Sequence, residues 1–494
     1  MCGFISILGP KGTDVVQDVL TGLLAIQHRG QDAAGVVTFG DKFQAKKGLG
    51  LVREVFQEKH LARLRGHLGV GHVRYPTVGG NEDTDVQPFW VDYPVGIAMA
   101  HNGNVTNFHE LRRDYFPTQT PQARLASNCD LEAVLYVFAG VLNRKKGERL
   151  TGADVGDAVR EVFAVVKGAY SVVGIVADAG MFAFRDPFGI KPIILGRRES
   201  ADGPFWAVAS ESVVLDVAGF TPVRDVAAGE VIWIDSATGE LQSFQVGTKP
   251  HRPCVFEHVY FARPDSVLDS VSVYEARLEM GRELAQKWRD SGREVDVVIP
   301  VPESARTAAQ QMAEDLGLPY REGFVKNRYV GRTFIMPNDR ERQSSVRHKL
   351  NPIRVEFEGK RVLIVDDSIV RGNTMRQIVR IARQMGAKEV HLASYSPPLL
   401  HPCPYGIDMS TKREFIARGR TTAEIAEQLG CNSVIYQDLA PMLAAAKRVA
   451  QRAGKSDCTW CTACFDGNYP TGDITESMLA DIEADRIAAS SVGG

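Results

Sequence analysis

Apolar residues in this chain fall into short β-branched runs and longer runs of helical period, and their arrangement changes near the middle. Residues 4–8 read as a strand, after which Val16, Leu20, Leu23 and Leu24 recur at helical spacing. A short strand leads into Gly71-His72-Val73-Arg74, and another, from Val95, ends at Ala100-His101-Asn102-Gly103-Asn104. Asp130-Leu131-Glu132 opens a helix that ends near Leu142. Residues 172–177, 182–185 and 206–209 read as strands completing a second sheet, with a tight connection over 185–190. Lys249-Pro250-His251-Arg252-Pro253 is a polar, Pro-rich break and reads as a linker. Beyond it strand and helix alternate. A buried strand at 295–301 precedes a helix opened by Pro302-Glu303-Ser304. A second strand at 362–365 precedes a helix opened by Asn373-Thr374, and further strands lie around Val390 and Val434. Such alternation predicts a parallel α/β sheet with its ligands at the carboxyl ends of the strands. Past Thr471 the chain turns acidic, then small and polar, and its last residues are expected to be disordered.

A chain of 494 residues is expected to form two or three domains. Its apolar fraction of 44% and charged fraction of 24% are those of a soluble globular protein. A net charge of −2 gives no electrostatic case for nucleic acid or an anionic membrane. No apolar run approaches the roughly 18 residues of a membrane-spanning helix, and the first residues lack a secretory pattern, so a cytoplasmic location is expected. In such a chain the clustered members of the eight cysteines point to metal binding or catalysis rather than disulfides.

The strongest chemical signal is the strand–loop–helix run from Val362 through Asp366-Asp367-Ser368-Ile369-Val370-Arg371-Gly372-Asn373-Thr374. Loop N–H groups and a helix N-terminus make a cradle for phosphate. Two adjacent carboxylates beside a phosphate make sense where the ligand also offers ribose hydroxyls, developing positive charge at an anomeric carbon, or Mg²⁺. The basic stretch from Lys326 through Arg332, followed by Arg340, Arg342, Arg347 and Lys349, reads either as a lid over a polyanion or as a solvated face. At the other end of the chain stands Met1-Cys2-Gly3. Loss of the initiator would leave Cys2 with a thiol and an α-amino group on one residue, a nucleophile beside its own base. An Asn side chain followed by a free backbone N–H, as at Asn102-Gly103, suits an oxyanion hole. Arginine suits a substrate carboxylate and aspartate a substrate ammonium.

Residues 2–240 resemble a class II glutamine amidotransferase domain, an N-terminal-nucleophile hydrolase with an αββα sandwich. Residues 254–450 resemble a type I phosphoribosyltransferase built on a parallel α/β sheet, and the Asp366-Asp367 run looks like its phosphoribosyl pyrophosphate (PRPP) loop. Asn373 stands where close relatives have Thr, and Cys129 where they have Ser or Thr. The two together resemble the glutamine PRPP amidotransferase family. That resemblance implies Cys2 as nucleophile, Asn102 and Gly103 as oxyanion hole, and Arg74 and Asp130 as holders of the glutamine carboxylate and ammonium. It implies Lys326, Arg332, Ser368, Arg371, Gly372 and Thr374 as PRPP-binding residues, with Ser304, Asp366 and Asp367 at Mg²⁺. It further implies synthesis of 5-phosphoribosylamine, glutamate and pyrophosphate from glutamine and PRPP, with internal ammonia transfer, at the start of de novo purine synthesis. Purine nucleotide inhibitors and a homo-oligomer, a tetramer or dimer, are also implied. Another amidotransferase would need a sugar isomerase or an ATP site, and the chain has no Gly-x-x-x-x-Gly-Lys-Ser/Thr loop.

The segment 451–494 carries Cys458-Thr459-Trp460-Cys461-Thr462-Ala463-Cys464-Phe465. Remote Cys254 and Cys403 complete a possible four-thiolate set. By resemblance to cluster-bearing relatives, Cys254, Cys403, Cys461 and Cys464 are ligands of a [4Fe–4S] cluster. Structural Zn²⁺, or no metal at all, are the alternatives. Cys458 is an extra thiol or displaces Cys461 in a shifted register.

Overall fold

The structure is a computed structural model that describes residues 2–75, 83–119, 124–144, 149–326, 350–407, 409, 412–455 and 458–492. The first half contains β1 (Gly3–Leu8), β2 (Ala33–Phe39), β3 (Phe43–Leu49), β4 (Leu68–Arg74), β5 (Phe89–Val91), β6 (Ile97–Val105), β7 (Gly168–Val176), β8 (Gly180–Arg185), β9 (Ile194–Arg198), β10 (Phe205–Ala209), β11 (Thr221–Asp225), β12 (Glu230–Asp235) and β13 (Leu241–Gln245). They form two antiparallel sheets, ordered β11-β9-β10-β1-β4-β2-β3 and β13-β12-β8-β7-β6-β5. Phe4, Val37 and Val208 of the first sheet meet Ala98, Val173 and Ile175 of the second in one buried layer. The outer face of the first sheet packs on the helix Val16–Ala25, and that of the second on the helices Asp130–Leu142 and Gly152–Val165. This is the αββα sandwich the resemblance implies.

Central strands buried on both faces explain why the sequence shows nearly continuous apolar runs here, with little alternation. The same fact corrects one expectation. Residues 206–209 do not belong to the second sheet, since β10 pairs with β1 in the first. A run apolar on both faces carries no mark of which sheet it joins. The boundary also moves, because β13 pairs with β12 and carries the first sheet pair past residue 240.

The second half contains β14 (Val267–Leu268), β15 (Val271–Ser272), β16 (Val297–Pro300), β17 (Phe324–Lys326), β18 (Leu350–Pro352), β19 (Arg361–Asp366), β20 (Glu389–Ser394) and β21 (Ser433–Tyr436). The strands β16-β19-β20-β21 make a parallel sheet. The helices Val273–Asp290, Arg306–Leu316 and Leu439–Arg452 cover one face, and Asn373–Gln384 and Thr422–Leu429 the other. The expected helix at 302 begins later, at Arg306, with Pro302, Glu303 and Ser304 in the turn before it.

One core cluster spans the two halves. Ala169 and Ile190 of the first pack with Val255, Phe256 and Val259 of the second. The expected linker is accordingly strapped down. The Arg252 N–H donates to the Phe188 carbonyl at 2.7 Å, and that of Cys254 to Ile190 at 3.0 Å. The acidic tail forms a helix, Glu476–Val492, where disorder was expected at its end. Its Ala, Leu, Met and Glu content favours helix, and the Thr475 hydroxyl accepts the Met478 N–H. Among the described residues no helix is long and apolar enough to cross a membrane.

Candidate active sites

Cys2 lies one residue before β1, in the middle of the first sheet. The register Gly3↔Val73 sets it beside the end of β4, where Arg74 and Tyr75 leave the strand. Its nitrogen donates to Asn102 Oδ1 at 3.4 Å, and its Sγ lies 3.6 Å from the Tyr75 carbonyl oxygen. Asn102 is fully buried, and its Nδ2 has no hydrogen-bond partner among the described residues. A buried amide donor left unsatisfied costs about 1–3 kcal/mol, and it is the donor an oxyanion would use. Gly103 has φ +147°, and a Cβ there would stand 2.0 Å from the Ala169 carbonyl oxygen, so only glycine fits.

Asp130 begins the helix Asp130–Leu142. Its carboxylate accepts the Val105 N–H at 2.7 Å and faces His101 Nε2 at 3.3 Å. Burial pushes its pKa up, but His101, the Val105 N–H and Arg74 outweigh this and hold it below the usual range. Arg74 is buried, with Nη2 3.7 Å from Asp85. All five expected residues, Cys2, Arg74, Asn102, Gly103 and Asp130, therefore lie at one end of the sandwich.

The second constellation sits at the carboxyl ends of β16 and β19. Ser304 donates to Asp367 Oδ2, and Ser368 Oγ donates to Asp367 Oδ1 at 2.6 Å. Asp366 accepts the Asp367 N–H at 2.9 Å. Burial raises both carboxyl pKa values, Asp366 most, with the charge of Asp367 adding to it. Neither carboxylate forms an ion pair with a described residue. Two crowded carboxylates of this kind suit a divalent cation or a cationic transition state. Gly372, at φ +74°, turns the loop into the helix Asn373–Gln384. Thr374 lies exposed in that helix's first turn. Arg371 does not join the loop. Its guanidinium lies outward on Glu414 at 3.1 Å, because the loop turns its side chain to the surface. Lys326 is exposed at the end of β17, and Arg332, Arg340, Arg342, Arg347 and Lys349 lie outside the described residues.

The thiols form a third cluster. Cys254, Cys403, Cys461 and Cys464 are each buried, and every pair among the four is close enough to interact electrostatically. The Cys461 N–H donates to the Pro253 carbonyl at 2.8 Å, and the Cys464 carbonyl accepts the Leu400 and His401 N–H groups at 3.0 and 3.1 Å. Burial pushes the Cys254 thiol up to about 12, and Cys461 and Cys464 well up too. Cys458 is half-buried at the margin of this core. As placed, no three His, Cys, Asp or Glu side chains among the described residues form a group that could hold a metal ion.

Two family models match the chain. The glutamine amidotransferase domain covers residues 72–216, and the phosphoribosyl transferase domain covers residues 270–395. An amidophosphoribosyltransferase from Pseudomonas aeruginosa is 46% identical over 98% of this chain and 96% of its own length. The chain belongs to the amidophosphoribosyltransferase family. The solved glutamine PRPP amidotransferase of Bacillus subtilis, complexed with ADP and GMP, superposes with a TM-score of 0.83 at 37% identity, covering 96% of this chain and 98% of that one. A second structure, described as the allosteric regulatory enzyme of purine biosynthesis, gives a TM-score of 0.84 at 37% identity over 98% and 99%.

Some site residues escaped the reading of the sequence. Gln87 binds the His101 N–H through Oε1 at 2.8 Å and reaches His101 Nδ1 at 2.9 Å through Nε2, so it orients the partner of Asp130. Asp85 flanks Arg74. Both follow a polar stretch with no periodicity, and nothing in their local pattern marks them. Glu211 was equally silent, since its buried ion pair with Arg29, from a distant segment, leaves no local pattern.

Proposed function

We propose that the chain transfers the amide nitrogen of glutamine to C1 of PRPP, giving 5-phosphoribosylamine, glutamate and pyrophosphate, the first committed step of de novo purine synthesis. One observation carries this reading. A Cys2–Asn102 pair lies in the first half and the Ser304–Asp366–Asp367 group in the second, and the two halves pack together through a core that takes in Ala169 and Ile190. Two unlike active sites in one rigid chain suit a reaction that makes a labile nucleophile in one place and uses it in another.

In the first site, with Met1 removed, the α-amino group of Cys2 takes the thiol proton and the thiolate attacks the glutamine amide carbon. Asn102 Nδ2 and the Gly103 N–H hold the oxyanion, Arg74 the α-carboxylate and Asp130 the α-ammonium. The C–N bond breaks, the proton passes to departing ammonia, and water hydrolyses the glutamyl thioester. Ammonia then moves through the interior, because protonation in water would remove its nucleophilicity. In the second site it attacks C1 as the C1–O bond to pyrophosphate breaks. Asp366 and Asp367 stabilise the positive charge that develops there, while Ser368, Gly372 and Thr374 hold the 5-phosphate. Lys326 and Arg371 supply positive charge to the phosphates after leaving their present positions, and Arg332 joins them in that role.

The crowded carboxylates fit Mg²⁺, which Asp366, Asp367 and Ser304 would hold and which would neutralise the departing pyrophosphate. The four neighbouring thiols have the donor chemistry of a four-thiolate group, a [4Fe–4S] cluster or structural Zn²⁺, which would draw them together and cross-link three distant segments. We further propose a cytoplasmic homo-oligomer inhibited by purine nucleotides, supported by the ADP and GMP bound to the Bacillus subtilis relative. The test is coupled turnover. Purified enzyme should release glutamate and pyrophosphate in equal amounts from glutamine and PRPP, and should accept free ammonia in place of glutamine. Glutamate release with no pyrophosphate would overturn the reading.

A further inference from the structure

At the seam between the halves, one buried guanidinium connects the nucleophile's main chain to the transferase half. Arg29 is 1% exposed. Its Nε donates to the carbonyl oxygen of Cys2 at 2.9 Å. Its Nη1 and Nη2 donate to Glu257 Oε2 and Oε1 at 3.0 and 2.8 Å, a two-pronged pair, and Nη1 also donates to Glu211 Oε1 at 2.5 Å. Gly3 makes room for this crossing, since a Cβ there would meet Arg29 Cδ at 3.1 Å. Glu211 is held in turn by His28 Nε2 at 2.9 Å, the Arg263 N–H at 3.0 Å and the Ser266 hydroxyl at 2.7 Å. Cys2, His28, Arg29 and Glu211 belong to the first half, and Glu257, Arg263 and Ser266 to the second.

The geometry has a directional consequence. A forked carboxylate fixes the plane of a guanidinium, and here that plane fixes where Nε points. Glu211 cannot substitute, because it meets only one nitrogen of Arg29 and is shared among three other donors. We infer that Glu257, a residue of the phosphoribosyltransferase half, is a positioning residue for the glutaminase reaction, holding the Cys2 backbone in register with Asn102 through Arg29. This rests on the reading of Cys2 as nucleophile. It goes beyond that reading by making the first site dependent on a side chain of the second half that touches neither substrate.

The test uses full-length enzyme carrying Glu257→Gln and, separately, Glu257→Asp. Loss of the fork should let the nucleophile drift, and misplacement of a reacting group by about 1 Å costs on the order of a hundredfold. Glu257→Gln should therefore lower kcat with glutamine by about tenfold to a hundredfold, with KM for glutamine changed less than about twofold. Synthesis from free ammonia should stay within about twofold of wild type, because Glu257 lies outside the PRPP site. Glu257→Asp, which keeps the charge, should recover part of the loss. Alkylation of Cys2 by iodoacetamide, followed by peptide mass spectrometry, should slow in Glu257→Gln and partly recover in Glu257→Asp. Equal loss of both activities, or insolubility of both variants, would make Glu257 an element of folding and overturn the inference. Full glutamine-dependent kcat in Glu257→Gln would overturn it too. A wild-type enzyme with no glutaminase activity would instead refute the proposed function.

Discussion

Replacing Gly372 by alanine tests the PRPP loop at its tightest point. The residue sits at φ +74°, and an added Cβ would stand 2.4 Å from Ile416 Cδ1 and 3.0 Å from Leu429 Cδ2. Two separable penalties follow. Left-handed backbone costs a non-glycine residue roughly 1–2 kcal/mol. Forcing a methyl into a packed site costs roughly 1–3 kcal/mol more. Together they amount to roughly 2–5 kcal/mol, enough to change the loop's conformation rather than merely strain it. The assay is ammonia-dependent phosphoribosylamine synthesis, which omits the glutamine site, with KM for PRPP as the main readout and thermal unfolding as the second. Gly372→Ala should raise KM for PRPP and lower the unfolding temperature. The double variant Gly372→Ala/Ile416→Val removes the Cδ1 that clashes, and it should regain the steric part while the backbone part remains. Ile416→Val alone should cost about 0.5–1.5 kcal/mol. A single alanine variant with wild-type KM and stability would refute the reasoning. So would a double variant no better than the single one, since the contact with Ile416 would then carry none of the effect.

Three further outcomes are expected. Cys2→Ala should abolish glutamine-dependent synthesis and leave ammonia-dependent synthesis largely intact; mass spectrometry showing Met1 retained in fully active enzyme would contradict the role given to the Cys2 amine. Asp366→Asn and Asp367→Asn should each impair synthesis with both nitrogen sources, because charge at C1 develops whatever delivers the nitrogen, and a defect confined to the glutamine reaction would move the pair to domain coupling. Serine at Cys254, Cys403, Cys461 or Cys464 should lower iron content and soluble yield while Cys458→Ser stays normal; stoichiometric zinc without sulfide would replace the cluster with Zn²⁺, and active, stable protein holding neither metal would end the proposal.

What could be read from the sequence follows from what each feature needs. The Asp366-Asp367 loop is local, since strand, turn and helix N-terminus are contiguous, and β19 and the helix Asn373–Gln384 bracket it as expected. That Cys2, Asn102-Gly103 and Asp130 would come together was legible for a different reason, because each falls at the end of a recognisable element. The assignment of residues 206–209 to a sheet failed because burial on both faces removes the alternation that would orient a strand. The start of the helix at Arg306 rather than Pro302 was missed because a proline followed by a good helix former resembles a first turn, whereas here that stretch turns Ser304 toward Asp367. Gln87, Arg29 and Glu257 act only through partners that the fold brings from far away in the chain.

The close approach of the two halves has a consequence for anyone who would take the protein apart. Gly406 of the second half lies so near Gly103 that a Cβ on Gly406 would stand 2.7 Å from the Gly103 carbonyl oxygen, and Asn104 Nδ2 donates to the Pro404 carbonyl at 2.8 Å. The backbone that shapes the proposed oxyanion hole is therefore moulded against a neighbour with no side chain of its own at that point. A chimera that paired this glutaminase half with another acceptor half would have to reproduce a bare backbone at the seam as well as a binding surface. Expressed alone, the first half would open Ala169 and Ile190 to water and lose the Gly406 backbone that packs on Gly103. The molecule reads as two domains on paper, yet its modularity ends where Gly103 and Gly406 meet.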